Sequence, residues 1–286
     1  ADKYMKEFAR WARIQNRLIV YTDTNSAEQI MDIRRGYGLE DKTTIIVIDD
    51  LFGLEPVVFK RLQENAVHPD FLSFKYLPEE FSNKPKYDEL WFMKYYFMND
   101  ALERGLLSEQ VVWIDFGFDH GGVVYDHPED FDFKWEYDFG DKIHIFCLFD
   151  PDSITGIQCL QYQPDCVEGS MYGLPRHRVA DFWHQIRKAM EAVLMLDCVD
   201  DDQLLVLMAY KDRPDLFEVH VNGWNLAIKL CGGDHMRAKE ITPAPAENPV
   251  KRAIRLAVRK VIPNPADPKR NYAKRCYENA IKFYGK

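Results

Sequence analysis

The sequence contains no long hydrophobic run that could cross a membrane. Its longest uninterrupted apolar stretches, residues 45–48 and 204–209, are far shorter than the ~20 residues that a membrane-spanning helix requires. We therefore expect no transmembrane helix, and the first residues show no signal-peptide pattern. Because Ala1 is not an initiator methionine, we expect an N-terminus that is truncated or processed.

Metal-binding and disulfide motifs are also missing. The cysteines form no C-x-x-C pair, and the histidines form no H-x-x-x-H or H-x-H pair, which argues against a zinc site. Single cysteines within apolar segments of a chain this long predict reduced core thiols and a cytoplasmic protein. These residues are Cys147, Cys159, Cys166, Cys198, Cys231 and Cys276.

Three common nucleotide and hydrolase motifs are absent as well. Without G-x-G-x-x-G, a P-loop or G-x-S-x-G, the chain lacks the signatures of a dinucleotide oxidoreductase, a P-loop kinase and an α/β-hydrolase. What is present is an ordinary globular composition, 47% hydrophobic and 29% charged over 286 residues. That length suits one large domain, or one domain with a small appendage.

Charge is distributed unevenly along the chain. The net charge is −9, yet residues 250–286 contain eleven Lys and Arg against two acidic residues, so this tail carries +9 and the remaining residues carry −18. An acidic body argues against nucleic-acid binding. The tail either meets the anionic inner leaflet of a membrane, where apolar residues between its charges would insert, or packs on the acidic body.

Hydrophobic periodicity predicts an α/β fold. Up to residue 114 the order is strand, helix, strand, helix, helix, strand, which is typical of an open, mostly parallel central sheet flanked by helices. Beyond residue 140, segments 142–149 and 155–162 predict antiparallel strands, and a Gly-containing loop follows at 169–173.

Proline-rich residues 242–249 predict a linker. This linker divides the chain into a domain over residues 1–241 and a basic, amphipathic helical tail over residues 250–286.

The first candidate site follows the third predicted strand, in the segment Trp113-Ile-Asp-Phe-Gly-Phe-Asp-His120. In open α/β folds, ligands bind where strands end, so Asp115 lies at the expected place. Asp115 and Asp119 bracket a turn and could converge on Mg²⁺ or Mn²⁺, which prefer oxygen ligands. The alternative is a strand-ending Asp115 that caps a turn, with Asp119 solvated.

The second candidate is the run Val199-Asp-Asp-Asp-Gln203 between two apolar helices. Adjacent carboxylates repel one another unless a cation or several donors hold them. Asp201, Asp202 and Gln203 could bind sugar hydroxyls or activate an acceptor hydroxyl. They could equally form a solvated helix cap.

Further candidates are single residues. A buried Lys94 requires an anionic partner, which could be a phosphate or a carboxylate, and Arg34 could meet the same anion. The loop at 169–173 could let its backbone approach a ligand, or could simply turn. His235 is late enough in the chain to fold back onto the sheet edge as a metal ligand, although a structural role is the simpler interpretation.

Four motifs together resemble a known family. The motifs are Thr22-Asp23, Tyr87-x-x-x-Trp91-x-x-Lys94, Trp113-Ile-Asp-Phe-Gly117, and Asp201-Asp-Gln203 with Pro214-x-Leu-Phe217. Their order over residues 1–230 resembles the HtrL/YibB family of bacterial proteins, which occur with lipopolysaccharide and capsule genes, and is similar to GT-A glycosyltransferases.

The resemblance implies roles for particular residues. GT-A enzymes end a central strand in Asp-x-Asp, which binds the metal and the diphosphate of a nucleotide sugar; here Asp115-Phe116-Gly117 stands at that position. The second aspartate is missing, so either Asp119 substitutes for it or metal binding is weaker or absent. From the residues and the resemblance together we expect three groups of site residues. The donor-binding residues are Asp23, Arg34, Lys94, Asp115, Gly117, Ser170 and Gly173, the metal ligands are Asp115, Asp119 and His235, and the catalytic residues are Asp201, Asp202 and Gln203.

The resemblance also implies a missing element. GT-A folds usually begin with a strand that carries nucleotide contacts, whereas this chain begins with a helical pattern. We therefore expect that this first strand is missing from the sequence.

The leading hypothesis is a cytoplasmic glycosyltransferase that is peripheral on the inner face of the membrane. It would use Mn²⁺ or Mg²⁺ and move a sugar from a nucleotide-diphosphate donor, expected to be a UDP-sugar, to lipopolysaccharide, capsule or another glycan acceptor, including a lipid-linked one. The alternative is a non-catalytic scaffold of GT-A shape that binds sugar nucleotides or polysaccharide. A metal-dependent phosphoesterase is disfavoured because the sequence has no dense cluster of His and Asp ligands.

Overall fold

The computed structural model describes residues 2–75 and 84–239, which form helices around two small β-sheets. The predicted linker and basic tail, together with residues 240–241 of the predicted domain, lie outside the described residues. The helices are α1 (Asp2–Trp11), α2 (Thr24–Gly36), α3 (Pro56–Asn65), α4 (Pro69–Phe74), α5 (Pro85–Glu103), α6 (Gly156–Tyr162), α7 (Val179–Met195), α8 (Asp202–Asp212) and α9 (Ala227–Leu230). The strands are β1 (Leu18–Thr22), β2 (Thr43–Val47), β3 (Gln110–Ile114), β4 (Ile143–Cys147), β5 (Met171–Pro175) and β6 (Phe217–Val221).

The strands form two sheets, so the predicted α/β class is confirmed but the single, mostly parallel sheet is not. β1 and β2 pair in parallel as one sheet. The second sheet has the order β3-β5-β4-β6, in which β5 is antiparallel to both neighbours and β4 is parallel to β6. Strands β3, β4 and β6 therefore point in one direction, with β5 reversed between them.

Two local predictions are wrong, one because of a short-range capping signal and the other because of pairing with a distant strand. Residues 155–162 are not a strand: Thr155 and Gln158 form a reciprocal capping box that starts helix α6. Residues 169–173 are only partly a loop, because Met171 to Pro175 form β5. Pairing of β5 with β3 over its whole length stabilises a strand despite its glycine and proline.

The β3-β5-β4-β6 sheet carries helices on both faces because its side chains alternate. Ile145 and Tyr172 point into a core formed with α5, α7 and α8. Phe146 and Met171 point to the opposite face, where the core includes residues of α1, α9 and segment 131–139. Two hydrophobic layers therefore fix the ends of β3 and β5 from both sides.

Two further sequence expectations can be checked on the described residues. None of their helices is both long and apolar enough to cross a bilayer. Five of the cysteines are described, and all five are buried and outside disulfides, as expected for core thiols.

Candidate active site

Asp115 directly follows strand β3 and lies at the edge of the sheet where that strand ends. The backbone N–H of Asp115 donates to the carbonyl of Ser170 at 2.8 Å, which continues the pairing of β3 with β5 past the end of the strand. The Trp113 indole N–H donates to Asp115 Oδ1 at 2.6 Å. The position of this carboxylate is therefore fixed by its own strand and by the neighbouring one.

Lys94 of α5 reaches the same place and joins two carboxylates. Its Nζ donates to Asp115 Oδ2 at 3.1 Å, to Asp202 Oδ2 at 2.9 Å and to the carbonyl of Gly169 at 2.6 Å. The ammonium also lies 3.5 Å from the centroid of the Trp91 ring. Because an ammonium has three N–H groups, these acceptors satisfy it completely. We call Lys94, Asp115, Asp202 and the Gly169 carbonyl the Lys94 centre.

The second carboxylate of the Lys94 centre is held by the start of α8. Asp201 caps this helix, accepting from the N–H of Gln203 at 3.1 Å, so Asp202 occupies the first turn. The Tyr172 hydroxyl donates to Asp202 Oδ2 at 3.1 Å and lies 2.9 Å from the Tyr95 hydroxyl. Two buried tyrosine hydroxyls thus donate in sequence toward Asp202, which also accepts from Lys94.

Burial determines the electrostatics of the Lys94 centre. Desolvation raises the pKa of Asp115, and the nearby ammonium of Lys94 opposes that rise. Desolvation also raises the pKa of Asp201 well above its ordinary value, and the neighbouring Asp200 and Asp202 add to the rise. The Gln203 Oε1 is buried and accepts no hydrogen bond from the residues that the structure describes, and Gln203 does not line the cavity described below.

A cavity of about 520 Å³ opens beside the Lys94 centre. Lys94 and Asp115 line it, together with Tyr87, Trp91 and Gly117. Asp202 does not line it and contacts Lys94 from the far side. Lys94 and Asp115 are therefore the charged groups of the Lys94 centre that a bound molecule could meet first.

The predicted metal ligands do not come together. Asp119 turns toward α1, where its Oδ1 accepts from the N–H groups of Val124 and Tyr125 and its Oδ2 lies 3.7 Å from the Arg10 guanidinium. His235 is exposed, and its Nε2 donates to the carbonyl of Asp130. Within the part of the chain that the structure describes, Asp115, Asp119 and His235 form no group close enough to share an ion.

The oxygen atoms around Lys94 do not fit a metal ion either. Its three oxygens are hard ligands that would suit Mg²⁺ or Mn²⁺, but they converge on the Lys94 ammonium, which already supplies a positive charge. We therefore derive no chemical step through a metal ion.

Arg34 lies in the interior, not at a ligand site. Its guanidinium is fully buried and donates to the carbonyls of Ala12, Ile14 and Asn16. Burial lowers its pKa to about 10, so it stays charged at neutral pH. Arg34 therefore fixes the connection from α1 to β1, and the predicted contact with a nucleotide phosphate has no route to it.

The other residues predicted to bind the sugar donor make local structural contacts. Asp23 follows β1 and caps α2, accepting from Ser26. The Ser170 hydroxyl donates to Glu168 Oε1 at 2.6 Å. Gly173 lies within β5 against Phe139, where an added Cβ would come 2.2 Å from the ring. Close packing requires this glycine, without any ligand.

The remaining predicted glycine, Gly117, has a similar packing role. An added Cβ there would lie 2.5 Å from the Glu7 carboxylate and 3.0 Å from the Tyr4 ring, both on α1. Gly117 nevertheless lines the cavity, because α1 approaches it from one side only.

Two clusters of polar side chains were not predicted from the sequence. Lys75 Nζ pairs with Asp200 Oδ2 at 2.8 Å in a fully buried ion pair. The acidic run indicated that Asp200 needed a cation, but no nearby sequence pattern identified Lys75 as that cation. His144 Nδ1 lies 2.8 Å from His220 Nε2, with Cys231 nearby. The His144 Nε2–H donates to the Phe139 carbonyl, so Nδ1 accepts from His220, and this hydrogen bond accounts for the ring pair.

The fold and the Lys94 centre define the chain as an α/β protein with a buried ionic site at the end of a strand. Residues 1–231 match HtrL_YibB, described as a bacterial protein of unknown function, and the chain belongs to that family. It is 28% identical over 232 residues to Protein HtrL of Escherichia coli (strain K12), covering 78% of each chain. No solved structure matches.

Proposed function

We propose that this chain is a glycosyltransferase of GT-A type that moves a sugar from a nucleotide-diphosphate donor, a UDP-sugar, to a glycan acceptor such as lipopolysaccharide or capsule polysaccharide. The observation that supports it is the Lys94 centre beside an open cavity at the end of β3. In open α/β folds this edge is where ligands bind. The family is of unknown function, so the proposal depends on this geometry and on the motif resemblance.

In this proposal Lys94 turns one N–H from Asp115 to the diphosphate and so stabilises the leaving group. The acceptor hydroxyl oxygen bonds to the anomeric carbon while the bond between that carbon and the diphosphate oxygen breaks. The diphosphate takes up the charge, and the hydroxyl proton is released to solvent. A fixed ammonium in a site of low polarity stabilises such charge more strongly than water does. Asp202 and the Gly169 carbonyl hold Nζ in place, so Asp202 positions Lys94, and the predicted catalytic roles of Asp201 and Gln203 stay predictions.

A measurement of thermal stability with UDP, GDP and CDP tests the proposal. A ligand that binds only the folded state, at a hundredfold excess over its dissociation constant, adds about 2.7 kcal/mol to the free energy of unfolding. We expect a shift with one nucleotide in the wild type and in Lys60→Met, an exposed control lysine. The shift should be lost in Lys94→Met, which removes the cation that meets the diphosphate, while the unliganded melting temperature of each variant reports its own folding.

The same measurement with and without Mn²⁺ addresses the metal. A shift that needs no Mn²⁺ agrees with Lys94 as the cation of the site. A shift that depends on Mn²⁺ would instead support the predicted metal site. Release of nucleotide diphosphate from the matching sugar donor, with a glycan acceptor, then tests transfer. No shift with any nucleotide would contradict the proposal.

One observation favours the scaffold alternative. Both oxygens of Asp115 already accept hydrogen bonds, one from Trp113 and one from Lys94, so in this structure the carboxylate serves to hold these two side chains. A protein that binds the donor without transferring the sugar would show the nucleotide shift and no release of diphosphate.

Membrane attachment belongs to the same proposal, through residues 250–286, which lie outside the described residues. Binding to vesicles of anionic lipid, with and without these residues, tests it. Equal binding of the two chains would contradict attachment through the tail.

A further inference from the structure

Two histidines and a cysteine come together on one face of the β3-β5-β4-β6 sheet. His144 and His220 lie on the neighbouring parallel strands β4 and β6, and Cys231 directly follows α9. One nitrogen of each ring and the Cys231 sulfur all lie within 4.8 Å of one another. The hydrogen bond between the rings explains their pairing, but it does not involve the sulfur. We call these three side chains the His144–Cys231 cluster.

The His144 ring is oriented with a lone pair toward the cluster. Its Nε2–H donates to the Phe139 carbonyl at 3.0 Å, which leaves the lone pair on Nδ1, 2.8 Å from His220 Nε2. Burial lowers the pKa of both histidines, so both rings are neutral at neutral pH. A neutral imidazole whose other nitrogen donates to a backbone carbonyl is the usual form of a metal-bound histidine.

The Cys231 sulfur is held in place through the backbone and the side chain. The Cys231 carbonyl accepts from the Trp135 indole N–H, and its N–H donates to the carbonyl of Ala227 at 3.0 Å. Burial raises the pKa of the Cys231 thiol to about 11, and the Tyr137 hydroxyl, which donates to the sulfur, opposes that rise. The thiol therefore keeps its proton until a cation displaces it.

The contacts that orient the cluster come from one short segment, residues 135–139. Trp135 and Tyr137 contact the carbonyl and the sulfur of Cys231. Phe139, the next residue in the same alternation, accepts from His144. A carbonyl that accepts from a histidine ligand, and a donor to a ligand atom, are the outer contacts that orient metal ligands in proteins. The cluster thus has both the ligand atoms and the orienting contacts typical of a metal site.

We propose that the His144–Cys231 cluster binds a zinc ion through His144 Nδ1, His220 Nε2 and Cys231 Sγ, with a water molecule as the fourth ligand. Imidazole and thiolate are the ligands that zinc prefers, in tetrahedral geometry. Among the residues that the structure describes, no fourth His, Cys, Asp or Glu belongs to the group. His220 is only partly buried, so the ion and the water have a route to the site.

Binding requires small movements and the release of one proton. Two nitrogens on a tetrahedral zinc ion lie roughly 3.4 Å apart, so the rings would separate by about half an ångström. The Cys231 proton leaves to solvent, and the His220 proton is exchanged from Nε2 to Nδ1, so one proton is released for each zinc ion bound. No group is oxidised or reduced.

A zinc motif is missing from the sequence because the three ligands come from separate segments of the chain. His144 and His220 are 76 residues apart, and Cys231 follows a further helix. A bound ion would therefore join β4, β6 and the end of α9. The cluster shares no residue with the Lys94 centre, and the inference does not depend on the proposed function.

Metal titration of the full chain, without a histidine tag, tests this proposal. The chain is first treated with a chelator, and Zn²⁺ or Co²⁺ alone is then added. Bound zinc per chain, the melting temperature and the absorption of the Co²⁺ form are measured, because Co²⁺ in a tetrahedral site with a thiolate absorbs strongly. His220→Gln and Cys231→Ala each remove one ligand. The matched controls are His235→Gln and Cys198→Ala, a histidine and a buried cysteine outside the cluster.

We expect one zinc ion per chain, a zinc-dependent rise in melting temperature and the cobalt–thiolate absorption in the wild type and in both controls. Each ligand variant should weaken zinc binding by roughly a hundredfold or more, and Tyr137→Phe by about tenfold, since it removes only an orienting contact. The metal-free melting temperature of each variant reports its folding. His220→Gln, at a partly buried position, keeps the test decisive should Cys231→Ala fail to fold.

Three results would each overturn the proposal. They are absence of zinc binding in the wild type, zinc binding that is unchanged in His220→Gln, and a Co²⁺ form without the thiolate absorption. None of these measurements uses a nucleotide, so failure of the zinc site and failure of the proposed function are distinguishable.

Discussion

Two buried lysine–aspartate pairs lie at the start of α8 and differ in what surrounds them. Lys75 meets Asp200 at 2.8 Å, and Lys94 meets Asp202 at 2.9 Å. The Lys75 pair is closed on all sides, with side chains 0% and 3% exposed. Lys94 has a second carboxylate, Asp115, which is 14% exposed, and both residues line the cavity. The two pairs therefore have the same chemistry but differ in their exposure to the cavity and in the number of carboxylates around the lysine.

The difference indicates distinct roles. The Lys75 pair joins the chain after α4 to the segment before α8, and replacement by apolar residues could serve the same purpose. The Lys94 centre holds two carboxylates around one ammonium, an excess of negative charge that packing alone does not require. Such arrangements are typical of functional sites, where burial and neighbouring charges are used for chemistry.

The largest expected effect comes from removing each lysine. Lys75→Met and Lys94→Met should each lower the free energy of unfolding by about 3–5 kcal/mol, because each leaves a buried carboxylate without its cation. Urea denaturation measures this loss. Only Lys94→Met should also abolish the nucleotide-induced shift in melting temperature, and the reverse pattern would contradict the distinction between the two pairs.

A second substitution sharpens this test. Adding Asp200→Asn to Lys75→Met removes both charges, so most of the lost stability should return. Adding Asp202→Asn to Lys94→Met leaves Asp115 buried without a cation, so less should return. Equal recovery in the two double variants would show that the second carboxylate has no influence.

A fourth buried carboxylate, Glu168, shows what burial does without a lysine. Burial raises the pKa of Glu168 to about 7, although Ser170 and the N–H of Asn225 donate to it. The folded state therefore holds this proton between pH 4.5 and about 7, where the unfolded state has lost it. Stability from this group is complete below pH 4.5 and falls as the pH rises to 7, by roughly 3 kcal/mol in total.

Glu168→Gln should remove that dependence. The variant should resemble the wild type near pH 4 and be more stable at pH 8, because the amide keeps an acceptor for Ser170 and carries no charge. Denaturation at several pH values measures the difference. A parallel pH dependence in both proteins would show that Glu168 is not the group responsible.

The smallest expected effects come from two glycines of one segment. Gly173→Ala places a methyl group against Phe139, and Gly169→Ala places one 2.7 Å from Asp202 Oδ2. Each should cost about 1–3 kcal/mol through overpacking. Gly169→Ala alone should weaken nucleotide binding, because it displaces a carboxylate of the Lys94 centre. Equal binding by both variants would remove Gly169 from the site.

Much of the local structure was predictable because its causes are local. Helical spacing predicted α5 and α7, and the β-branched run at residues 43–48 predicted β2. The end of β3 at Asp115 was predicted correctly, and so was the need of Lys94 for an anionic partner. The strand assigned to residues 155–162 failed because a capping box is a stronger signal than alternation over a few residues.

By itself, the sequence determined most of the helices, most of the strands, the carboxylate that ends β3 and the acidic run before α8, since each follows from interactions between near neighbours in the chain. Only the tertiary structure decided which charges meet. Lys94 and Asp202 are 108 residues apart in sequence, and Lys75 and Asp200 are 125 apart. The local sequence predicted that Arg34 contacts a phosphate, but its guanidinium donates to backbone carbonyls of a preceding segment. Ionic partners in a core are chosen by packing, because a buried charge must take whichever opposite group the fold brings within reach.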